Sequence, residues 1–352
     1  MSAAGHGPTP RVSVLLPIGR ARPSARAALE SVLAQSLADL EVLAIGHADV
    51  ARALPALVGR ALASDPRVRA VARASPGIVG ALNTGLAAAR APLVARMDDD
   101  DLAYPERLAV QVAHLGAHPE AGLVGARVRI VDARGDPEGV AGGNRRYERW
   151  LNALAAPEPI RRYRFVECPL PHPTWLAPRA FLERLGGWRD GHFPEDHDLV
   201  LRALEAGARP SKPGPVLLDW TDHPDRLTRN DPRYSHAAFV AMKAEAVARP
   251  GSGLGLDAGR AVWLAGTGRA ARLWCDALDA RGVEVRGFVD LPRSGMRERF
   301  RHRPVLGNDA WLAARGEDLL ITTVRRPEAR TTLERWCEAA GLVADGDFVL
   351  GE

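Results

Sequence analysis

The stretch GIVGALNTGLAAARAPLVARMDDDD, Gly77 to Asp101, decides the fold. Its first half carries a helical pattern over Ile78–Ala89; its second, Leu93–Met97, is a short apolar run that stops at four aspartates. A run of that length between a helix and a polar turn reads as a buried strand. Toward the N-terminus the same alternation recurs, with strands at Val12–Ile18, Leu40–Ile45 and Val68–Ala72 and helices at Ala25–Leu37 and Ala51–Ala63. In the first of these helices Ala28, Leu29, Val32 and Leu33 share one face. This βαβαβαβ order predicts an α/β fold, a doubly wound, mostly parallel sheet with helices on both faces. Ligands of such sheets bind beyond the carboxyl ends of the strands, where Asp98, Asp99, Asp100 and Asp101 emerge.

Toward the C-terminus the pattern gives a helix at Pro105–Leu115, a strand at Gly122–Val131, and loops from Asp132 to Pro173. Helices at Arg179–Leu185 and Glu195–Ala206 and a strand at Pro215–Leu218 follow. The glycine-rich Arg249–Gly259 (RPGSGLGLDAG) reads as a linker. A second βαβ unit begins beyond it: strand Ala261–Ala265, turn Gly266–Gly268, helix Arg269–Ala280, strand Val283–Val289 ending at Asp290, then strand Leu319–Thr323 and helix Pro327–Ala340. The expected organisation is a flexible N-terminus (1–10), a first domain (11–248), a linker (249–259) and a smaller Rossmann-like domain (260–352).

A chain of 352 residues suits two domains, and 46% hydrophobic with 26% charged residues is a globular balance. No stretch approaches the roughly 18 apolar residues of a membrane span, and Met1–Pro10 lacks the cationic start of a signal peptide. A cytoplasmic enzyme is the expectation. The three cysteines, Cys168, Cys275 and Cys337, form no C-x-x-C pair, so neither a disulfide framework nor a zinc site is indicated. All but two of the 47 basic residues are arginines, scattered among acids, and the net charge is only +4. That balance permits peripheral contact with an anionic membrane face. With 5% aromatics and no basic–aromatic stripe, nucleic acid is not an expected partner.

Four adjacent carboxylates repel one another unless something positive is bound. Acids two residues apart in a short loop suit Mg²⁺ or Mn²⁺ together with substrate phosphates; the alternative is a solvated acidic loop at the start of the next helix. A second acidic group, Glu195, Asp196 and Asp198, opens a helix after Pro194. It reads either as ordinary N-terminal capping or as the base that an attacking hydroxyl needs.

Val12–Ile18, ALESVLAQS (Ala28–Ser36), the Gly77–Asp101 stretch and YPERLAVQ (Tyr104–Gln111) resemble the family 2 glycosyltransferases. The resemblance implies a GT-A fold and an inverting transfer of a sugar, as by a hexosyltransferase, from a nucleotide-diphosphate sugar to a glycan or lipid-linked acceptor in polysaccharide biosynthesis. It assigns Asp98 and Asp100 to the D-x-D motif, with Asp99 between them and Asp101 trailing. HPTWLAPRAFLERLGGWRDGHFPEDHDLVLRALEAG (His172–Gly207) is similar to the family's acceptor half, which makes Asp196 the base beside Glu195. His172 and Trp188 then border the acceptor, although a turn-holding ring and a packed indole explain them as well. His223, in WTDHPDRLTR (Trp220–Arg229), falls where relatives carry a metal-binding histidine, and Arg226 and Arg229 fall where they would meet a diphosphate. Pro17, Gly77 and Asn83 match nucleotide-side positions. The family's nucleobase acids after the second strand are replaced by Gly46-His47-Ala48-Asp49, leaving Asp49 as the remaining candidate.

Gly266-Thr267-Gly268-Arg269-Ala270-Ala271 fits G-x-G-x-x-A, with Asp290 placed for a ribose hydroxyl, so Gly266, Gly268 and Asp290 form a second candidate nucleotide site. Two other function classes stay open: an NAD(P)-binding oxidoreductase built on this motif, and a transferase fold that binds nucleotide sugars without turnover. No oligomeric state is implied.

Overall fold

The computed structural model describes residues 9–19, 22–290 and 298–352, so the expectation of a flexible 1–10 falls, for residues 1–8, outside them. The chain forms two compact units: 1–160, 169–190 and 202–226 make the first, and 161–168, 191–201 and 227–352 the second. Their boundary is not the linear one at 249–259. Within that expected linker, Leu254 and Leu256 are buried in the core of the second unit.

In the first unit β1 (Val12–Pro17), β2 (Leu40–Gly46), β3 (Val68–Ala72) and β4 (Leu93–Arg96) pair in parallel in the order β3-β2-β1-β4. Every residue of β1 and β2 is buried, as expected when helices cover both faces. Two polar side chains in these strands hold each other, Ser13 donating to Glu41 at 2.7 Å. A small second sheet joins β5 (Leu102–Ala103), β6 (Arg127–Asp132) and β8 (Val216–Asp222) in the order β5-β8-β6, and β7 (Leu176–Pro178) extends the main sheet antiparallel to β4.

Three expectations need correction. The helix expected over Ala51–Ala63 is broken into Val50–Val58 and Arg60–Ala63, because Gly59 adopts φ +91°. The strand expected at Gly122–Val131 starts only at Arg127, after a 3₁₀ turn over Pro119–Ala121. The loops expected across 132–173 contain helices Gly142–Ala153 and Pro157–Arg162. In the longer of these, Asn152 bonds the main chain of Val128 through both ends of its amide (3.0 and 2.7 Å), and Glu148 accepts from Ile130 N–H at 2.6 Å. That helix is therefore docked on β6 by polar side chains, which an apolar-periodicity reading passes over.

In the second unit β9 (Val262–Ala265), β10 (Val285–Asp290), β11 (Arg299–Phe300), β12 (Arg303–Gly307), β13 (Leu319–Thr322) and β14 (Phe348–Leu350) form one sheet ordered β11-β12-β10-β9-β13-β14. Apart from the antiparallel β11, its strands are parallel and follow the 3-2-1-4-5 order of Rossmann-type sheets. One face packs on Trp274 and Leu278 and the other on Trp311 and Cys337. No helix among the described residues is long and apolar enough to cross a membrane.

Candidate active site

The four aspartates are held at both ends. Met97 N–H donates to Leu15 O of β1 at 3.0 Å, which carries the pairing one residue past β4 before the acids begin. Beyond them β5 pairs with β8 through Leu102–Asp219 and Ala103–Leu218. Thr221 on β8 donates its N–H to Asp101 Oδ1 at 2.8 Å. The same strand therefore brings His223, two residues on, to the acids, with His223 Nε2 2.7 Å from Asp100 Oδ2. Asp219 locks β8 in place through Tyr104 OH (2.9 Å) and both arms of Arg129 (2.8 and 2.7 Å).

The carboxylates of Asp98, Asp100 and Asp101 offer oxygens within 4.8 Å of one another. Asp101 is 1% exposed, and its Oδ2 has no hydrogen-bond partner among the described residues. A buried carboxylate oxygen left unbonded is costly, and a cation is the group that satisfies it. Burial raises the pKa of Asp101 well above the usual carboxylate range, helped by the charges of Asp98 and Asp100. Burial and the same two kinds of neighbour push Asp99 up to about 7. Oxygen donors with one imidazole fit a hard divalent cation, so the residues present suit Mg²⁺ or Mn²⁺.

Sequence reasoning named Arg226 but missed the other positive groups of this site. Arg96, 5% exposed at the end of β4, contacts Asp98 at 2.5 Å. Arg107, 1% exposed, donates to Arg96 O at 2.5 Å and to Gln111 at 3.2 Å; burial lowers its pKa to about 9, so it remains charged at neutral pH. Arg226 lies 4.4 Å over the Trp220 ring, and its charge only partly offsets the burial that raises the pKa values of Asp98 and Asp101. Arg22 reaches His223 Nε2 at 2.8 Å. The signal was present for Arg96, a charge inside an otherwise apolar strand pattern; Arg22 and Arg107 look like ordinary helix-flanking arginines.

The other expected residues divide. Pro17 closes β1 opposite Ile45, and Gly19 N–H donates to Asp99 Oδ2 at 3.3 Å. Asp49 is exposed beyond β2 with His47 (3.1 Å) and Arg52 (3.5 Å) around it. Gly77 starts its helix with φ +82° and open space where a Cβ would be. Asn83 spends both ends of its amide on the main chain of Trp188, at 2.8 and 3.0 Å. Trp188 is 3% exposed and donates its indole N–H to His172 Nε2 at 3.0 Å. Of the two readings of Trp188, packing is therefore the one observed. His172 is the acceptor in that bond, and burial, with the charge of Arg96, keeps its pKa far below normal, so it is neutral.

The acidic helix Glu195–Glu205 begins in the second unit. Glu195 is 2% exposed and accepts Tyr234 OH at 3.0 and 2.9 Å, with Arg233 3.8 Å away. Asp196 Oδ1 accepts His197 N–H at 2.7 Å. His197 is buried, donates Nε2–H to Arg164 O at 2.5 Å, and is held neutral by burial, its pKa falling to about 3. Arg229, on the short helix Leu227–Asn230, is exposed in the same unit. Of the second candidate site, Gly266 has φ +109° and Gly268 leaves open space for a Cβ, but Thr267 Oγ1 donates to Asp290 Oδ2 at 2.7 Å. The loop thus uses one oxygen of the acid that was expected to receive a ribose hydroxyl.

Residues 13–172 match the model of the glycosyl transferase family 2 domain. Over 179 residues it is 28% identical to the amylovoran biosynthesis glycosyltransferase AmsE of Erwinia amylovora, covering 51% of this chain and 63% of that protein. It is 27% identical over 230 residues to the putative glycosyltransferase EpsE of Bacillus subtilis, covering 64% of this chain and 78% of that one. The S. aureus protein TarS (residues 1–349, solved with UDP-GlcNAc) shares the fold at TM-score 0.51 and 15% identity, over 68% of this chain and 67% of that one. The parallel α/β sheet of the first unit is thus the GT-A fold that the motifs implied.

Proposed function

We propose that the protein transfers a hexosyl group from a nucleotide-diphosphate sugar to an acceptor hydroxyl, with inversion, during assembly of a surface polysaccharide or other glycan. The observation that carries this reading is the buried, unbonded oxygen of Asp101 beside Asp98, Asp100 and His223 at the carboxyl end of β4. Asp98, Asp100, Asp101 and His223 would hold Mg²⁺ or Mn²⁺, which when bound neutralises charge on the departing diphosphate. Pro17 ends β1, Asp49 lies beyond β2 and Gly77 beyond β3, and these serve the nucleoside side, while Asp99 is steadied by Gly19. Arg226, stacked on Trp220, adds a fixed positive charge.

Asp196 is the proposed base, on the strength of the sequence resemblance and its place at a helix N-terminus, which favours the carboxylate form. It takes the proton of the acceptor hydroxyl as that oxygen bonds to the anomeric carbon. The bond from that carbon to the diphosphate breaks with its electron pair on the leaving group, and attack from the opposite face inverts the centre. Glu195, fixed by Tyr234, positions the helix start rather than touching substrate. The biosynthetic names of the relatives support a glycan or lipid-linked acceptor, and the modest positive charge supports peripheral contact with an anionic membrane face.

The test is release of UDP or GDP from a panel of nucleotide sugars in the presence of glycan acceptors. Asp196→Asn should lower turnover by about 10²–10⁴-fold while leaving donor affinity intact. A fully active variant removes Asp196 from the mechanism, and tight donor binding without turnover in the unaltered protein favours a non-catalytic binding module.

A further inference from the structure

Arg22 and Asp100 converge on one ring nitrogen of His223. Arg22 Nη1 lies 2.8 Å from His223 Nε2 and 3.6 Å from Asp100 Oδ2, while Nε2 itself is 2.7 Å from that same oxygen. No single protonation state satisfies all of them. With a proton, Nε2 donates to Asp100 and has no lone pair for Arg22; without one, it accepts from Arg22 and faces a carboxylate with nothing to give it. Arg22 therefore contends for the same lone pair and the same negative charge that a divalent cation at Asp100 and His223 would use.

The setting distinguishes Arg22 from the other arginines around the acids. Arg96 is buried against Asp98, and Arg226 is stacked on Trp220 and lies 3.8 Å from Asp222. Arg22 has a 24% exposed side chain, with Asp225 4.0 Å away as a second acid. A guanidinium pushed off by a divalent charge needs a new anion, and its planar fork matches phosphate oxygens.

We propose that Arg22 is an exchangeable counter-charge of the donor site: it neutralises Asp100 and occupies His223 Nε2 before a divalent cation binds, and once displaced becomes a ligand of the donor's diphosphate. This rests on the reading of Asp98–Asp101 and His223 as the donor site. It makes one residue act with opposite sign on two ligands, opposing the metal and favouring the nucleotide.

The test is calorimetric titration of MnCl₂ alone, then of UDP and GDP at saturating Mn²⁺, into the unaltered protein and into Arg22→Ala, Arg22→Lys and Asp100→Ala. Removing the competing charge should tighten Mn²⁺ binding about tenfold, and losing the fork should weaken the nucleoside diphosphate about tenfold. Arg22→Lys should keep near-normal Mn²⁺ affinity and still bind the nucleotide more weakly than arginine does. Unchanged or weaker Mn²⁺ binding in Arg22→Ala overturns the proposal, as does tighter Mn²⁺ with no loss of nucleotide affinity. If Asp100→Ala abolishes Mn²⁺ binding while Arg22→Ala alters nothing, only the role of Arg22 fails. If the unaltered protein binds no Mn²⁺, the donor-site reading fails with it.

Discussion

Asp101 and Arg107 show how much of the site depends on charges that a linear reading ranks low. Asp101 follows the D-x-D pair, yet it is the acid with the unbonded buried oxygen. Its position follows from β8, which pairs with the residues just after it and donates Thr221 N–H to it. Arg107 sits buried beneath the loop and raises no flag in the sequence, because arginine is the commonest charge in this chain. Arg107→Met should destabilise the protein by about 1–3 kcal/mol, since it leaves the buried Arg96 O and Gln111 Oε1 without their donor and removes one of the charges facing Asp101 and Asp98; urea unfolding with and without Mn²⁺ measures this, and a near-neutral change would show that Arg107 is only filling space. In the second unit, Tyr234→Phe removes the hydroxyl from Glu195. Turnover should fall through kcat with little change in KM, because Glu195 positions the helix rather than binding substrate.

At the scale of elements, β1, β2 and β4 were legible because buried strands leave apolar runs, β3 because its apolar residues recur at strand spacing although it is only half-buried, and the acids mark where β4 ends. What escaped was held by polar contacts or was too short to show a period. The helix Gly142–Ala153 docks through Asn152 and Glu148, and β5 and β7 span two and three residues. Glu41 in β2 is such a polar device. Its burial opposes the charge, but bonds from Ser13, Arg69 and Arg90 N–H outweigh it and the pKa falls below normal. A lowered pKa means stability present above the unfolded carboxylate range and lost as pH falls through the folded value. Glu41→Gln should therefore cost about 2 kcal/mol at pH 7, with the difference shrinking in acid; a gap that is constant with pH would contradict this. In β10, a Cβ at Gly287 would meet Pro304 O at 2.7 Å and the Trp263 ring at 2.4 Å. Gly287→Ala should lower stability by about 1–3 kcal/mol by overpacking, seen as a lower thermal midpoint.

For the whole molecule, the match of 13–172 to the family 2 model was readable from the motif blocks, but the division of the chain was not. A boundary at 249–259 follows the glycines, whereas the second unit also takes in 161–168, 191–201 and 227–248. The stretch at 161–168 is bonded far along the chain, Arg161 and Arg164 to Asp345 (2.9 and 2.6 Å) and Tyr163 to Glu334 (2.9 Å). Lys243 is buried against Glu352 at 3.7 Å. Composition along a chain carries no trace of such long-range pairs. A chain ended after Ala248 should therefore expose Phe165, Leu201 and Val240, bind a hydrophobic dye and be cleaved rapidly by protease; a compact, protease-resistant product would contradict the division. The central claim is that the acids closing β4, with His223, form a metal-dependent donor site. The most direct test is calorimetric titration of UDP and GDP sugars with and without Mn²⁺ into the unaltered protein and Asp100→Ala. The account predicts binding that needs the metal and disappears in the variant; binding that persists without Mn²⁺ and survives Asp100→Ala would contradict it.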